Sequence, residues 1–148
     1  MLLLTFKVGP EPVGLDIRRV REVIPWVRLQ PLTGQPNWIA GVFVYQGLIV
    51  PVIDLFRLTG NGECPLHLSS RIILLPLEGE RLFGILAAQV ANLREVPDAT
   101  VKHHVMNDGV DLGPVLADGP TMLRLLDPDH LLPAEARLRL LSAAGGSA

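Results

Sequence analysis

From Leu29 to Ile53 the chain carries no charged side chain, and charge returns only at Asp54. A run this apolar leaves water in one of three ways: as a membrane helix, as paired strands in a core, or as the wall of a reaction site with Asp54 as its acid. A spanning helix needs about 20 consecutive, mostly apolar residues. The stretch "WIAGVFVYQGLIVPVI", Trp38 to Ile53, is shorter, and Gly41, Gln46, Gly47 and Pro51 interrupt it. Two runs dense in β-branched residues flank Tyr45-Gln46-Gly47, which is the pattern of a β-hairpin. No direct membrane insertion is expected. The N-terminal "MLLLTFKVGPEP" has no basic region ahead of its apolar residues and no small-residue cleavage site, so no signal peptide is expected either.

The remaining chain reads as more short strands. "LLLTFKV" and "VGLDI" flank a "GPEP" break and form a second hairpin, with Val13, Leu15 and Ile17 on one face. Ile17, Val20 and Ile24 then fall at helical spacing, which predicts a short helix ended by Pro25. "WVRLQPL" is extended. Asp54 precedes "LFRL", where a carboxylate caps a helix start. "RIILLPLEGERLFGILA" turns at Glu78-Gly79-Glu80, "AAQVANLREV" reads as helix up to Pro97, and "GVDLGPVLADGPTMLRLLD" gives two strands around Asp118-Gly119. "PAEARLRLLSAA" predicts a C-terminal helix over about 133–144, with Pro133 in its first turn, and "GGSA" is a frayed tail.

The two halves resemble each other. A shift of seventy residues brings Gly9 onto Gly79, Gly14 onto Gly84, Leu15 onto Ile85, Val20 onto Val90 and Val23 onto Leu93, and "VIDLFRL" is echoed by "LLDPDHLL". The repeat predicts a mainly all-β chain of two similar small barrels, about five strands each, over roughly residues 10–60 and 70–125. Of the 148 residues 49% are hydrophobic, which supplies the core such a pair requires.

Chemistry-bearing motifs are scarce. The net charge of -2 and the absence of a basic run exclude the footprint of a nucleic-acid binder. No phosphate-binding glycine motif occurs. His103 and His104 are adjacent, so on a strand they face opposite ways. With Asp108 or Asp111 they fall short of the convergent ligands a metal centre needs, and no metal or cofactor is expected. Cys64 and His67 lie in a Gly/Pro/Ser-rich linker without a supporting element, so the lone cysteine is read as inert. Ser69 and Ser70 sit in no nucleophile elbow. Trp26 and Trp38 read as core or rim aromatics. Asp54 is the best-placed acid, yet its echo at Asp127 points to a structural cap in each half. A well-filled core without an assembled catalytic set is the profile of a binding module, not an enzyme. The other reading is a small barrel-type ligand-binding or enzyme domain that uses Asp54 or the His103–His104 loop.

Two stretches carry a resemblance to a known family. "FKVGPEPVGLDIRRVREVI" resembles a strand, a glycine, a short strand and a helical turn ending Val-x-Glu-[Val/Ile]. "WIAGVFVYQGLIVPVIDL" resembles the hallmark G-V-x-N-x-R-G-x-[IV]-[VI]-P-V-[IV]-D-L of the CheW-like family of chemotaxis adaptor domains. The resemblance spans nearly the whole chain as a single CheW-like domain, with the first and second barrels, about residues 10–60 and 70–125, intertwined. It implies two SH3-like five-stranded β-barrels packed together, with short helices and a C-terminal helix. It implies no enzymatic activity. It implies a cytoplasmic adaptor, recruited to membrane-associated arrays, that couples the cytoplasmic tip of a chemoreceptor (a methyl-accepting chemotaxis protein) to the regulatory domain of a CheA-type histidine kinase. The protein-binding residues it carries over are Val20 and Glu22 in the helical turn and Gly41, Gly47 and Ile49 in the hallmark, with Val44, Tyr45 and Gln46 in the same hairpin. The chain departs from the hallmark at two positions: Val44 replaces its asparagine and Gln46 its arginine. "VFVYQG" and "LGPVLADG" are similar to divergent adaptors of alternative systems, the Wsp-type surface-sensing pathway and the type IV pilus branch among them.

Overall fold

Strands β1 (Leu2–Val8) and β2 (Glu11–Asp16) form an antiparallel hairpin that turns at Gly9, whose φ of 59° suits a residue without a side chain. This is a computed structural model, and it describes residues 1–90, 92–104, 110–132 and 134–145. After β2 the Asp16 carboxylate accepts from the backbone N–H of Arg18 and caps a single 3-10 turn, Ile17–Arg19. The helix expected to run on to Ile24 stops there. Residues Glu22–Pro25 are instead strand β3. Val23 and Ile24 are β-branched and gain a full antiparallel ladder by lying along residues 72 and 73, a non-local pairing that outweighs the local helical spacing.

The apolar run is the hairpin foreseen from the sequence, β4 (Ile39–Tyr45) and β5 (Leu48–Asp54), followed by the short helix α1 (Leu55–Leu58). Strands β6 (Arg71–Pro76) and β7 (Leu82–Ala87) form the next hairpin. The helix expected over "AAQVANLREV" is absent from its described residues. Ala88 bridges to Lys7, Gln89 takes a left-handed φ of 53° that breaks any helical run, and Leu93–Glu95 form β8 against β1. Strand β9 (Lys102–His103) precedes the hairpin of β10 (Val115–Asp118) and β11 (Thr121–Leu125), then α2 (Pro128–Leu131) and the C-terminal helix α3 (Ala134–Ala143). Pro133 and Asp108 lie outside the described residues, as does the end of the tail.

The strands form two sheets, ordered β8-β1-β2-β11-β10-β9 and β3-β6-β7-β5-β4. The orders reveal a correspondence: β1 with β6, β2 with β7, β8 with β3, β11 with β5 and β10 with β4. Both sheets contain one parallel pair, β2 beside β11 and β7 beside β5, and a glycine sits in each: Gly14 opposite Leu125, Gly84 opposite Val52. A Cβ at Gly84 would lie 2.7 Å from Ile72 Cγ2, and one at Gly14 would lie 3.0 Å from Leu123 Cδ2. The repeated glycines therefore mark where neighbouring side chains cross the strand.

The strand orders cross between residues 10–60 and residues 70–125. Those spans match the repeat units, but the barrels are built by exchange between them. One sheet joins residues 2–16 to 93–125, and the other holds residues 22–87. The first unit lends its β1–β2 hairpin to the second barrel and keeps β3, β4 and β5. The main core is shared between the sheets: Val50, Val52, Ile53, Ile72, Ile73, Leu74 and Ile85 of the five-stranded barrel are wholly buried in one cluster with Phe6, Val13 and Leu15 of the other sheet, and Leu3, Val96, Leu116 and Leu123 form a separate, smaller cluster in the six-stranded barrel. Each such side chain contributes about 1.5–3 kcal/mol relative to leaving it exposed. Among the described residues no helix is long and apolar enough to cross a membrane.

Candidate functional site

The order of strands leaves two edges in each barrel, and side chains tie them together. In the five-stranded barrel the edges are β3 and β4, and the Tyr45 hydroxyl donates to Glu22 Oε2 across the seam. In the other barrel the edges are β8 and the two-residue β9, and the tie runs instead to β10, beyond the residues that β9 covers: Arg94 of β8 donates from Nε and Nη2, at 3.0 and 2.6 Å, to Asp118 Oδ2 of β10. Tyr45 and Asp118 are related by the same offset that relates Asp54 to Asp127. The two barrels thus close at corresponding places with different chemistry, a phenol on a carboxylate and a guanidinium on a carboxylate.

The seam of the first barrel carries most of the residues singled out from the sequence. Val44 and Ile49 stand directly opposite each other in the β4–β5 ladder. They are 72% and 46% exposed, an apolar pair left in water at the hairpin tip. Gln46 and Gly47 form its two-residue turn with φ of 49° and 79°, the left-handed pair of a type I′ connection. A non-glycine residue at the first of these positions is held under mild strain, and its side chain is exposed. Glu22 is exposed on β3. Val20, two residues upstream, is half-buried and packs against the core, so its contribution is shared between barrel and surface. Gly41 belongs elsewhere: it is buried, opposite Val52, beneath the backbone of Gln30. Seven of the eight candidates therefore sit at or beside the seam, and Gly41 lies in the wall behind it.

Several residues at this place were not singled out from the sequence. Ile24, Val27, Arg28, Leu32 and Phe43 join Val44, Tyr45 and Ile49 around an open groove of about 690 Å³. Its outer wall is the segment read only as an extended piece. That segment is fixed by Gln30, whose N–H donates to the Val42 carbonyl at 2.8 Å and whose carbonyl accepts from the Val42 N–H at 2.9 Å. The two prolines, Pro25 and Pro31, bracket the segment, and they were its only local signal.

The residues considered for chemistry have structural partners. Asp54 is 2% exposed. Its Oδ1 accepts from the Phe56 N–H and its Oδ2 from the Cys64 N–H, each at 3.0 Å. Asp127 caps α2 in the same way, accepting from the Asp129 N–H at 2.9 Å. Their backbone angles nearly coincide, with φ, ψ of -100°, 102° and -107°, 106°. Asp127 is spent on a helix start, and Asp54 on a helix start and on the loop backbone at Cys64. His103 lies on β9 opposite Val115, and both it and His104 are exposed. Among the described residues no group of three or more His, Cys, Asp or Glu is placed to hold a metal.

Cys64 is buried, and burial first, then the charge of Asp54, pushes its thiol up to about 12. A thiol raised that far stays protonated and poorly nucleophilic at neutral pH. The native chain is therefore expected to resist thiol alkylation at mildly alkaline pH and to react fully once unfolded in urea. Rapid labelling of the folded chain would show that this segment opens, contrary to the packing described.

Comparison with known proteins agrees with this geometry. The family model described as "CheW-like domain" matches residues 2–136. The chain is 32% identical to Protein FrzA of Myxococcus xanthus over 96 residues, 65% of this chain and 59% of that protein. It is 26% identical to Chemotaxis protein CheW of Rhizobium meliloti (strain 1021) over 140 residues, 91% of this chain and 89% of that protein. The share of each such relative that this chain spans varies, down to 54% for Chemotaxis protein CheW of Klebsiella aerogenes. The fold matches the crystal structure of scaffolding protein TtCheW from Thermoanaerobacter tengcongensis with a TM-score of 0.80 at 23% identity, over 91% of this chain and 89% of that one. The two SH3-like barrels, the repeated caps and the family match converge: the chain belongs to the CheW-like domain family, whose members are non-enzymatic adaptors of chemotaxis signalling.

Proposed function

We propose that the chain is an adaptor that couples the cytoplasmic tip of a chemoreceptor to the regulatory domain of a CheA-type histidine kinase, recruited from the cytoplasm to membrane-associated receptor arrays. It binds through the seam of the five-stranded barrel, with Val44, Ile49 and Glu22 as the contacting side chains. The observation that carries this reading is the exposed Val44–Ile49 pair. A β-branched pair left in water beside a groove with apolar walls is a surface awaiting a partner, and it lies on the hairpin that bears the family hallmark.

The departure at Gln46 sets the chemistry of that contact. An arginine at the turn would bring a charged fork able to grip a carboxylate in two places. Gln46 offers only neutral hydrogen bonds, worth about 0.5–1.5 kcal/mol each. The partner surface opposite this turn is accordingly poor in acidic groups, and Gln46→Arg should leave affinity unchanged or lower it, because the new charge is desolvated without a counter-charge. Titration calorimetry of the wild type and Gln46→Arg against a chemoreceptor signalling-tip fragment, at two salt concentrations, tests both points. A gain in affinity that salt removes would overturn the account of the turn. No binding of the wild type to the receptor tip or to the kinase regulatory domain would overturn the adaptor reading itself.

A further inference from the structure

The Tyr45–Glu22 contact does more than close a barrel. Glu22 is exposed, and among the described residues it takes part in no ion pair. A surface glutamate has three freely rotating bonds, and fixing it costs a partner side-chain entropy equivalent to about fivefold or more in affinity. Here that ordering is already done: the phenol holds Oε2, and among the described residues no hydrogen bond reaches Oε1 of this exposed side chain. Tyr45 and Val44 are consecutive on β4 and project from opposite faces of that edge strand, and Val44, Tyr45 and Ile49 all border the same open groove, so a partner seated on the edge reaches both the apolar pair and the tyrosine that holds the carboxylate. The corresponding seam of the other barrel shows what a complete ion pair looks like in this fold: there Asp118 is met by Arg94 within the chain. In the first barrel the carboxylate has a neutral hydroxyl in that place, and its counter-charge is missing.

We infer that Tyr45 is a positioning residue, which orients Glu22 across the seam so that its free oxygen receives a basic side chain, lysine or arginine, from the partner that docks on Val44 and Ile49. The inference rests on the adaptor reading for the existence of that partner, but the orienting contact stands apart from it. The cations of this chain nearest in sequence or lining the groove are Arg21, adjacent to Glu22, and Arg28 on the groove's outer wall. Neither is bonded to Glu22, and both remain to tune the field the incoming cation meets. The arrangement also accounts for the tolerated loss of the hallmark arginine. With a basic group arriving from the partner, an arginine at position 46 would place like charges near each other.

Tyr45 is the chain's only tyrosine, which allows a direct test. The first measurement is the ultraviolet titration of the phenol in the wild type and in Glu22→Gln. A phenol that donates to a carboxylate keeps its proton to higher pH than one beside a neutral amide, so the tyrosinate midpoint should fall in Glu22→Gln. The second is the affinity of the wild type, Tyr45→Phe and Glu22→Gln for the receptor signalling-tip and kinase regulatory-domain fragments, each variant checked for an unchanged thermal midpoint. Loss of one charge-assisted contact corresponds to about a tenfold drop in affinity for Glu22→Gln. Tyr45→Phe, which only frees the carboxylate, should lose about fivefold to tenfold, since the ordering it removes cannot be worth more than the contact it prepares. Raising the salt should weaken wild-type binding and leave Glu22→Gln nearly unaffected. An unchanged tyrosinate midpoint overturns the orienting contact, and undiminished binding by Tyr45→Phe overturns its role in recognition. If the wild type binds neither fragment while the midpoint shifts as stated, the adaptor reading fails and the orienting contact stands.

Discussion

Replacing Asp54 with alanine is expected to lower the free energy of unfolding by about 3 kcal/mol. The expectation follows from where its two oxygens go. One accepts from the first turn of α1 at Phe56, as an ordinary cap would, and the other accepts from Cys64, ten residues along the chain. The carboxylate therefore pins both ends of the loop that leaves the five-stranded barrel. With alanine, two buried N–H groups lose their acceptor, each at about 1–3 kcal/mol. The guanidinium of Arg57, whose buried Nε lies 3.4 Å from Asp54 Oδ2 without forming a hydrogen bond, loses its nearby counter-charge as well. Asp54→Asn keeps one carbonyl oxygen and turns an NH2 toward the other donor, so it should recover about half of the loss. Asp127→Ala gives the internal comparison. It removes one partly exposed cap bond and should cost about 1 kcal/mol. Urea unfolding of the three variants measures all of this. Equal losses for Asp54→Ala and Asp127→Ala, or full stability in Asp54→Asn, would show that the second bond contributes nothing.

The comparison of Asp54 with Asp127 also shows what sequence can and cannot deliver in such a chain. Hairpins are local, and each was readable because its turn residues and its alternating pattern lie within a dozen or so positions: Gly9, Gln46-Gly47, Gly79 and Asp118-Gly119 all mark turns in the structure. The cap repeat was readable for the same reason. What could not be read is which pieces the intertwined units exchange. Strand β3 pairs with β6 and strand β8 with β1, across gaps of about fifty and ninety residues, and nothing in "REVIP" or "LREV" names its partner. Both segments were consequently assigned to helices on their local spacing. At the candidate site, the hallmark led to Ile49 and to its departure at Val44, and the helical-turn pattern to Glu22, as separate residues. Their meeting point depends on Tyr45 reaching across a seam whose two edges are the first and last strands of a five-stranded order, a relation that only closure of the barrel creates.

Gly41 is the residue for which the family pattern and the geometry differ most, and Gly41→Ala should separate them. If this glycine belonged to the binding surface, adding a methyl group would weaken binding and leave the fold alone. The structure gives the opposite order of events. Gly41 has φ of 155°, sits at a register shift in β4, and its backbone lies against Gln30, so that a Cβ would stand 2.6 Å from the Gln30 carbonyl oxygen and 3.0 Å from Leu29 Cβ. A backbone carbonyl cannot swing aside as a side-chain tip can. The alanine variant must therefore push residues 29–30 outward, which breaks the two bonds between Gln30 and Val42 and strains the backbone at the same time. Two hydrogen bonds at about 0.5–1.5 kcal/mol each and a strained φ at about 1–2 kcal/mol bring the expected loss to about 2–5 kcal/mol. Gly47→Ala is the control, since that glycine has φ of 79° with nothing within 4 Å of the added carbon, and it should lose only the strain. Because residues 27–32 wall the groove, Gly41→Ala should weaken partner binding as a consequence of its lost stability, and cooling or a stabilising osmolyte that restores the fold should restore part of the affinity. Unfolding curves and binding isotherms taken on the same samples decide the matter. A Gly41→Ala chain as stable as the wild type that nevertheless fails to bind would make Gly41 a contact, and the wall described above would have to be redrawn.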